Sequence, residues 1–286
     1  MKKIIDTHIH AWNLERAEYP WLQGDDSILN RTWRIEELEE ERKNAGIVSG
    51  VLVQASSNLA DTDLMLEIAH ATDWISGVVG WLPLTNAKAT RQLLEERFLN
   101  ERYFKGVRHQ IHDEKDHSWL LQPDVIQSLK LLADHSIPYD IVGILPDHIE
   151  TVLKVIEKVP GIRMIFDHLN WPPIPAGEKF GRWGELMSEA AQHTNLYAKI
   201  SGLGTASGHF KGRTEDNIKP YVAFALQHFG SDRCLCGGDW PVSMLADNYF
   251  QTWHTTKNII RDLLPEAEQE CVFYSNAIQF YNLQLS

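Results

Sequence analysis

The segment Ile4-Ile5-Asp6-Thr7-His8-Ile9-His10 is typical of a buried β-strand that ends in polar residues. Alternation along such a strand places His8 and His10 on the same side, about 6 to 7 Å apart. Seven further segments of about five residues share its β-branched or apolar character, as expected for strands buried on both faces. They are Val51 to Ala55, Gly77 to Trp81, Gly106 to His109, Tyr139 to Gly143, Arg163 to Asp167, Leu196 to Ile200 and Cys234 to Gly237.

Between several of these strands, apolar residues recur with the period of a helix. Two of the helical stretches follow Pro123 and Pro146, since proline is tolerated in a first helical turn. Strands that alternate with helices form a parallel sheet, because each crossover must be long enough to hold a helix. Eight such units predict an α/β fold of the (β/α)₈ TIM-barrel type, with an open doubly wound sheet as the alternative. No Gly-x-Gly-x-x-Gly follows the first strand, which argues against a dinucleotide-binding sheet.

The domain organisation predicted from the sequence is a single barrel domain over residues 1–286. No linker rich in Pro, Gly or Ser divides the chain. The segment 11–47, between the first two strands, contains Trp12, Tyr19, Trp21 and Trp33. We expect it to be an insertion over the barrel mouth.

The composition is that of a globular protein, with 43% hydrophobic residues and a net charge of −12. The acidic balance and the lack of a basic cluster argue against a nucleic-acid partner. No apolar run approaches the roughly 18 residues of a membrane span, and no apolar signal region follows the N-terminus, so we expect a cytoplasmic protein without a membrane partner. The three cysteines, Cys234, Cys236 and Cys271, are predicted to be reduced thiols. The sequence leaves the oligomeric state open.

Ionisable residues follow three of the predicted strands. Strand one ends in His8 and His10, strand six in Asp167-His168, and strand eight in Gly238-Asp239-Trp240-Pro241. An isolated His-x-His is as easily explained by two histidines hydrogen-bonded to their neighbours. In a barrel, however, strand ends converge on one site at the C-terminal face. The three strand ends together therefore predict a catalytic or metal-binding site.

These motifs resemble those of the amidohydrolase superfamily, and more narrowly of its lactonase branch. That branch includes L-fuconolactonase, L-rhamnonolactonase and 2-pyrone-4,6-dicarboxylate lactonase. The resemblance runs from residue 4 to about residue 283. It rests on the segments Asp6 to His10, Lys105 to His109, Asp167 to Leu169, Lys199 to Leu203, Gly230 to Pro241 and Asn276 to Tyr281.

The resemblance implies a distorted (β/α)₈ barrel in which His8, His10, His168 and Asp239 are the catalytic and metal positions. Binuclear relatives supply a bridging Lys or Glu from strand four and a His from strand five, whereas this chain has Arg108-His109 and the segment Tyr139 to Gly143 there. The resemblance therefore implies either one divalent ion, Zn²⁺ or Mn²⁺, held by His8, His10 and Asp239, or no cofactor. Asn170-Trp171 also departs from the Ala-Lys that relatives often carry.

Several polar and aromatic residues at strand ends are candidates for substrate binding. The guanidinium of Arg108 suits hydroxyls or a carboxylate, although a salt bridge across strand ends is the alternative role. Sugar rings pack on flat aromatic faces, as the indoles near strand ends could provide. Lys199 and Ser201 are expected to support packing or hydrogen bonding. The predicted substrate-binding residues are Arg108, His109, Trp12, Trp171 and Trp240.

The leading hypothesis is a hydrolase that opens a sugar-derived lactone of the L-fucono or L-rhamnono type to its aldonic acid. Asp239 would act as base and then acid, and the three histidines would polarise the carbonyl. One alternative is a metal-dependent decarboxylase of an aromatic or heterocyclic acid. Another is a catalytically silent barrel that binds a sugar acid.

Overall fold

The computed structural model describes residues 3–176, 179–208 and 215–285. Its eight strands form one parallel sheet in which each strand pairs with the next along the chain. The predicted TIM-barrel fold is therefore confirmed. The strands are β1 (Ile4–Ile9), β2 (Ile47–Val53), β3 (Ile75–Gly80), β4 (Phe104–His109), β5 (Tyr139–Ile141), β6 (Met164–Phe166), β7 (Leu196–Ile200) and β8 (Cys234–Cys236).

Backbone hydrogen bonds between β1 and the residues after β8 complete the ring. The amide of Asp239 donates to the carbonyl of His8 at 2.8 Å, and the amide of His10 donates to the carbonyl of Trp240 at 2.7 Å. The closure thus occurs at the C-terminal end of the strands. It brings two of the predicted site segments into direct contact.

Helices follow the strands as the sequence pattern predicts. Pro123 and Pro146 are the first residues of two of them, because a first helical turn has no partner for the missing N–H. The α-helices are α1 (Glu39–Ala45), α2 (Leu59–Ala71), α3 (Ala87–Glu96), α4 (Pro123–Asp134), α5 (Pro146–Lys158), α6 (Gly181–Ala190), α7 (Leu203–Ala206), α8 (Glu215–Phe229), α9 (Tyr249–Leu263), α10 (Glu266–Glu270) and α11 (Asn276–Tyr281).

One strand differs clearly from its predicted bounds. β2 begins at Ile47 rather than Val51, because Ile47, Ser49 and Gly50 pair with β1. Ser49 and Gly50 interrupt the apolar pattern, which is why the sequence did not reveal this part of the strand.

A small apolar core fills the lower part of the barrel. The C-terminal segment closes this end, since Phe280, Tyr281 and Leu283 pack against the core from below. The strand residues of this inner core are Ile5, Val51, Val53, Val79, Ile165 and Leu235. A larger apolar cluster lies between the barrel and its helices. The C-terminal end of the strands therefore rests on a solid apolar base.

The segment 11–47 packs against the C-terminal ends of β1, β2 and β8. Trp12 and Trp33 exchange backbone hydrogen bonds, and the indole N–H of Trp21 donates to the carbonyl of Ala55 after β2. Trp33 also contacts Trp240 edge-to-face, with ring centroids 5.3 Å apart. Aromatic contacts thus fix this segment beside the strand ends.

Cys234 and Cys236 lie buried in β8 and Cys271 is half-buried, all three as free thiols. Within the described part of the chain, none of the helices combines the length and apolar character that crossing a bilayer requires.

A buried carboxylate anchors the segment 11–47 to the barrel. Asp61 is fully buried and accepts hydrogen bonds from the hydroxyl of Tyr19 at 2.8 Å and from the amides of Ala55 and Ser56 at 2.8 and 3.2 Å. Burial outweighs these bonds and raises the pKa of Asp61 from 3.8 to about 6. The folded chain therefore binds this proton more tightly than the unfolded chain does.

This raised pKa predicts a pH-dependent effect of Asp61→Asn. The contribution of Asp61 to the free energy of unfolding is full below about pH 4 and declines as the pH rises to about 6. The variant has no carboxyl group here, so its own stability lacks this dependence on pH. The loss of unfolding free energy that it shows relative to wild type should therefore be about 2 kcal/mol smaller at about pH 7 than at about pH 4.5. Urea unfolding of both proteins at the two pH values measures this difference. A destabilisation that is equal at both would contradict the prediction.

Candidate active site

The four residues predicted for catalysis converge at the C-terminal end of the barrel. Asp239 Oδ1 lies 3.7 Å from His8 Nε2, 3.5 Å from His10 Nε2 and 4.0 Å from His168 Nε2. All four residues are at most 7% exposed. One carboxylate oxygen thus faces three imidazole nitrogens in a nearly dry site.

The protonation of His10 follows from its contacts. Its Nδ1 lies 2.7 Å from the carbonyl oxygen of Val53, which can only accept a hydrogen bond. In the neutral ring the proton is therefore on Nδ1, and Nε2 presents a lone pair to the site. This Nε2 is 3.2 Å from His8 Nε2. Two nitrogens approach this closely only when a proton or a cation lies between them.

The geometry of His8, His10 and Asp239 fits a divalent ion. One donor atom from each lies within 4.8 Å of the other two. Ligands of a tetrahedral zinc ion lie about 2.0 to 2.2 Å from the metal, which places neighbouring donor atoms about 3.3 to 3.6 Å apart. The observed separations of 3.2, 3.5 and 3.7 Å agree with this spacing. Two imidazoles and a carboxylate also match the three-ligand sets of catalytic zinc sites.

His168 lies in an unusual backbone turn. His168, Leu169, Asn170 and Trp171 all have φ between +52° and +54°, which forms a left-handed turn directly after Asp167. A positive φ is energetically costly for residues other than glycine, and it persists only where neighbouring contacts hold the backbone in place. Ser201 Oγ contacts His168 Nδ1 at 2.9 Å, and the side-chain Nδ2 of Asn170 donates to the carbonyl of Leu145 at 3.2 Å. These bonds fix the His168 ring beside Asp239.

Four buried charged side chains form a layer beneath His8, which we call the charged layer. Lys199 Nζ lies 2.6 Å from Asp140 Oδ2 and 2.7 Å from Asp167 Oδ1. Arg108 Nη1 donates to Asp167 Oδ2 at 3.0 Å. The two cations and two anions alternate, so that the layer as a whole is neutral.

The charged layer touches His8 from below. Lys199 Nζ is 3.4 Å and Asp167 Oδ1 is 3.5 Å from His8 Nδ1, while Arg108 Nη1 is 3.3 Å from His8 Nε2. Burial, reinforced by Lys199, outweighs Asp167 and holds the pKa of His8 well below 6.5. Burial likewise lowers the pKa of His168. Both rings are therefore neutral at pH 7 and each carries one N–H donor.

Opposing effects set the pKa values of the charged layer. Burial alone would raise the pKa of Asp167, but Lys199, His8 and Arg108 together hold it well below its usual value. Burial would lower the pKa of Lys199, yet the two carboxylates raise it. Burial raises the pKa of Asp140 to about 6 despite Lys199. The ion pair between Asp167 and Lys199 is thus charged at neutral pH.

Asp6 joins β1 to the segment that carries Asp239. Its Oδ1 accepts hydrogen bonds from the amides of His8 at 2.9 Å and Gly238 at 2.8 Å. Its Oδ2 accepts from the hydroxyl of Tyr249 at 2.7 Å and the indole N–H of Trp253 at 3.3 Å. Burial outweighs these bonds and raises the pKa of Asp6 to about 6. This carboxyl group holds the backbone on either side of the site in register.

Comparison with known proteins agrees with this geometry. A family model described as amidohydrolase matches residues 5–283. The chain belongs to the amidohydrolase family.

Two curated relatives and one solved structure illustrate the likeness. The chain is 29% identical to an L-fucono-1,5-lactonase of Burkholderia ambifaria, over 98% of this chain and 95% of that protein. It is 25% identical to an L-rhamnono-gamma-lactonase of Scheffersomyces stipitis, over 98% and 99%. A Burkholderia multivorans amidohydrolase with bound zinc superposes with a TM-score of 0.90 at 26% identity, covering 98% of this chain and 99% of that one.

The residues predicted for substrate binding differ in how deeply this amidohydrolase buries them. Arg108 is 4% exposed and belongs to the charged layer, where it also donates to the carbonyl of Gln54. Trp12 and Trp240 are 1% and 2% exposed and pack beside the site rather than face solvent. Trp171 is 38% exposed and meets the His168 ring edge-to-face, with centroids 6.5 Å apart. His109 lies at the end of β4, 8% exposed.

Sequence reasoning missed part of the site. Asp140 sits between apolar neighbours in the buried strand β5, and a charged residue in such a strand was the signal that could have revealed it. Lys199 was expected only to support packing or hydrogen bonding, and its ion pairs with Asp140 and Asp167 were not predicted. His112 was not singled out either. Its Nδ1 lies 3.2 Å from the carbonyl oxygen of Val142, and burial, together with the positive charge of Arg108, lowers its pKa.

Close packing around His168 predicts a selective effect of Gly202→Ala. A Cβ at Gly202 would lie 2.4 Å from His168 Nδ1 and 2.8 Å from Asp239 Oδ2, and its φ is +59°. The matched controls are Gly24→Ala and Gly46→Ala, which share a positive φ but have nothing within 4 Å of the new Cβ. Strain alone should cost the controls about 1 to 2 kcal/mol of unfolding free energy. Steric crowding should add about 1 to 3 kcal/mol at Gly202, measured by urea unfolding. Equal losses in all three variants would refute this account of the site.

Proposed function

We propose that this amidohydrolase hydrolyses a sugar-derived lactone of the L-fucono or L-rhamnono type to its aldonic acid. The observation that carries the proposal is the position of Asp239 Oδ1, which lies within 4.0 Å of His8, His10 and His168. A base beside several carbonyl-polarising groups is what ester hydrolysis requires. The lactonase names of the relatives from Burkholderia ambifaria and Scheffersomyces stipitis support the same reaction.

Asp239 serves as the proton carrier in the proposed reaction. It takes a proton from water as the water oxygen bonds to the lactone carbonyl carbon. When the tetrahedral intermediate collapses, the ring C–O bond breaks and Asp239 returns this proton to the departing alkoxide. The product is a hydroxy acid, which releases one proton at neutral pH. Acid release is therefore a direct measure of turnover.

The histidines divide the remaining tasks. His8 and His168 are neutral and each has one N–H, so that either ring can donate to the developing oxyanion if its proton is on Nε2. His10 has its proton on Nδ1, bound to the Val53 carbonyl, and its Nε2 can only accept. We therefore assign His10 to the water and the other two rings to the carbonyl oxygen, which requires substrate and water to replace the contact between His8 Nε2 and His10 Nε2.

The charge of the site favours a neutral substrate. Among the residues that the structure describes near Asp239, the cations Arg108 and Lys199 are both paired with buried carboxylates. A carboxylate substrate, as the decarboxylase alternative requires, would meet Asp239 without an unpaired side-chain cation, so its binding would depend on the divalent ion. A lactone ring carries no charge and avoids this repulsion.

The aromatic residues contribute in different ways to the proposed binding site. Trp171 offers an exposed face beside His168, on which the apolar face of a sugar ring can pack. Trp12 and Trp240 pack beside the site. Trp12 contacts Trp21 edge-to-face, and Trp240 contacts Trp33 in the same way. Arg108 holds His8, and His109 lies in the wall of the mouth.

A divalent ion such as Zn²⁺ or Mn²⁺ would be held by His8, His10 and Asp239. When bound, it would supply Lewis-acid polarisation and lower the pKa of water. The chain's own contribution is to fix the donor atoms. His10 is oriented by Val53, and His8 by Asp167 and Lys199.

We expect Asp239→Asn to lose about 10²- to 10⁴-fold in kcat on sugar lactones, since the amide cannot accept the proton from water. Acid release, followed with a pH indicator on L-fucono- and L-rhamnono-type 1,4- and 1,5-lactones, measures this loss. Asp247→Asn, a change of the same kind outside the site, is the control and should keep wild-type rates. Thermal unfolding checks that both variants are folded.

Three results would overturn the proposed function. Full activity of Asp239→Asn would remove Asp239 from the mechanism. Silence of the wild type on every lactone, with release of carbon dioxide from an aromatic or heterocyclic acid, would establish the decarboxylase. Binding of a sugar acid without any turnover would establish the silent barrel.

For the metal, we expect one Zn²⁺ per chain, measured by competition with a chromophoric chelator. His10→Gln removes an imidazole ligand and Asp239→Asn replaces an anionic oxygen by a neutral amide oxygen, so each should weaken binding at least about tenfold. His70→Gln is the control, because His70 lies exposed on α2 and contacts Glu101. Binding that is absent, or unchanged in the site variants, would rule out this ligand set.

A further inference from the structure

A carboxylate at the mouth of the barrel is held in place by a buried histidine. Glu114, in the loop after β4, contacts His109 Nε2 through its Oε1 at 2.8 Å. The His109 ring stacks on Trp119, with centroids 4.0 Å apart and planes inclined by 5°. His109 and Trp119 are 8% and 5% exposed, whereas the Glu114 side chain is 35% exposed.

The contacts of His109 determine the direction of its hydrogen bond to Glu114. The indole N–H of Trp81 donates to His109 Nδ1 at 2.9 Å, and an indole nitrogen can only donate. The proton of the neutral ring is therefore on Nε2, where it is donated to Glu114. Three aromatic side chains thus orient one carboxylate, an arrangement that resists rotation of the glutamate.

This loop borders the candidate active site. His109 follows Arg108, which contacts His8, so the loop begins at the site itself. His112, two residues before Glu114, has its Nδ1 3.2 Å from the carbonyl oxygen of Val142, which places the loop beside the C-terminal end of β5. The amide of Gln110 donates to Ser57 Oγ, which ties the loop to the residues after β2.

Glu114 retains an unused acceptor. In the described part of the chain, its Oε2 has no hydrogen-bond partner, while Oε1 accepts a hydrogen bond from His109. A fixed carboxylate oxygen at a half-exposed position accepts strongly from hydroxyl groups. Elsewhere at the mouth, the exposed side chains of Ile144, Leu145 and Trp171 offer apolar surface instead.

We propose that Glu114 is a specificity-determining residue that accepts a hydrogen bond from a hydroxyl group of the lactone. This inference rests on the proposed function and deepens it. It assigns recognition of the substrate's hydroxyls to the loop after β4. His109, Trp81 and Trp119 act as positioning residues that present the carboxylate.

The test compares two lactones on wild type and Glu114→Gln. L-fucono-1,5-lactone carries ring hydroxyls, whereas δ-valerolactone has the same ring size and none. We expect Glu114→Gln to raise KM for the hydroxylated lactone about tenfold and to leave kcat nearly unchanged, since one charge-assisted hydrogen bond is lost from binding. The kcat/KM for δ-valerolactone should not change. Equal losses on both lactones, or no loss on either, would overturn the proposal.

Two further variants separate recognition from loop structure. Asp113→Asn makes the same kind of change at the neighbouring, more exposed carboxylate and should keep both lactones at wild-type KM. His109→Phe keeps a flat ring against Trp119 but removes the hydrogen bond to Glu114. It should raise KM selectively for the hydroxylated lactone, as Glu114→Gln does. A loss in His109→Phe that is the same for both substrates would overturn the positioning role.

A binding measurement keeps this proposal distinct from the proposed function. The probe 1,5-anhydro-L-fucitol carries the hydroxyls but has no carbonyl, so its binding does not depend on catalysis. Calorimetry should show about tenfold weaker binding to Glu114→Gln than to wild type. If no lactone is hydrolysed but this difference is found, the proposed function fails and the role of Glu114 in hydroxyl recognition stands. No binding to wild type, or equal binding to both, would overturn that role.

Discussion

The active-site end of this barrel depends on the charged layer of Asp140, Lys199, Asp167 and Arg108. TIM barrels are ordinarily filled by apolar side chains, and charges buried at this depth are stable only when paired. Here each charge has an opposite neighbour at 3.0 Å or less. The layer therefore behaves as a unit, because removing any one member leaves an uncompensated charge with no access to water.

The charged layer also determines what His8 can do. Its four members come from or follow strands β4 to β7, whereas His8 belongs to β1 on the other side of the barrel. Lys199, Asp167 and Arg108 meet the His8 ring from this side, while His10 and Asp239 approach from the side of the mouth. The His8 ring thus connects the rigid charged layer to His10 and Asp239, which we propose to act on the substrate. Asp6 fixes the backbone beside Asp239, since its carboxylate accepts a hydrogen bond from the amide of Gly238.

The residues that meet at strand ends were predictable from the sequence, because a parallel barrel brings all C-terminal ends together whatever the details of packing. His8, His10, His168 and Asp239 needed only the strand pattern to be recognised as one group. The pairing of Lys199 with Asp140 was not predictable in this way, since it depends on which interior side chains reach across the barrel. The left-handed turn at His168 was equally hidden, because Leu169 and Trp171 are not residues that favour positive φ. The orientation of Arg108 toward Asp167 follows from the same long-range packing.

Helix α11, which packs against the lower end of the barrel, also contacts the charged layer. Tyr281 packs into the lower core and donates its hydroxyl to Asp140 Oδ2 at 2.6 Å. Tyr281 follows all eight strands in the chain, so it leaves the ribosome after them. A nascent chain that has already formed all eight strands still lacks the group that completes the charged layer. Premature termination, or proteolysis within α11, would therefore yield a barrel with every candidate catalytic residue present and the support beneath them incomplete.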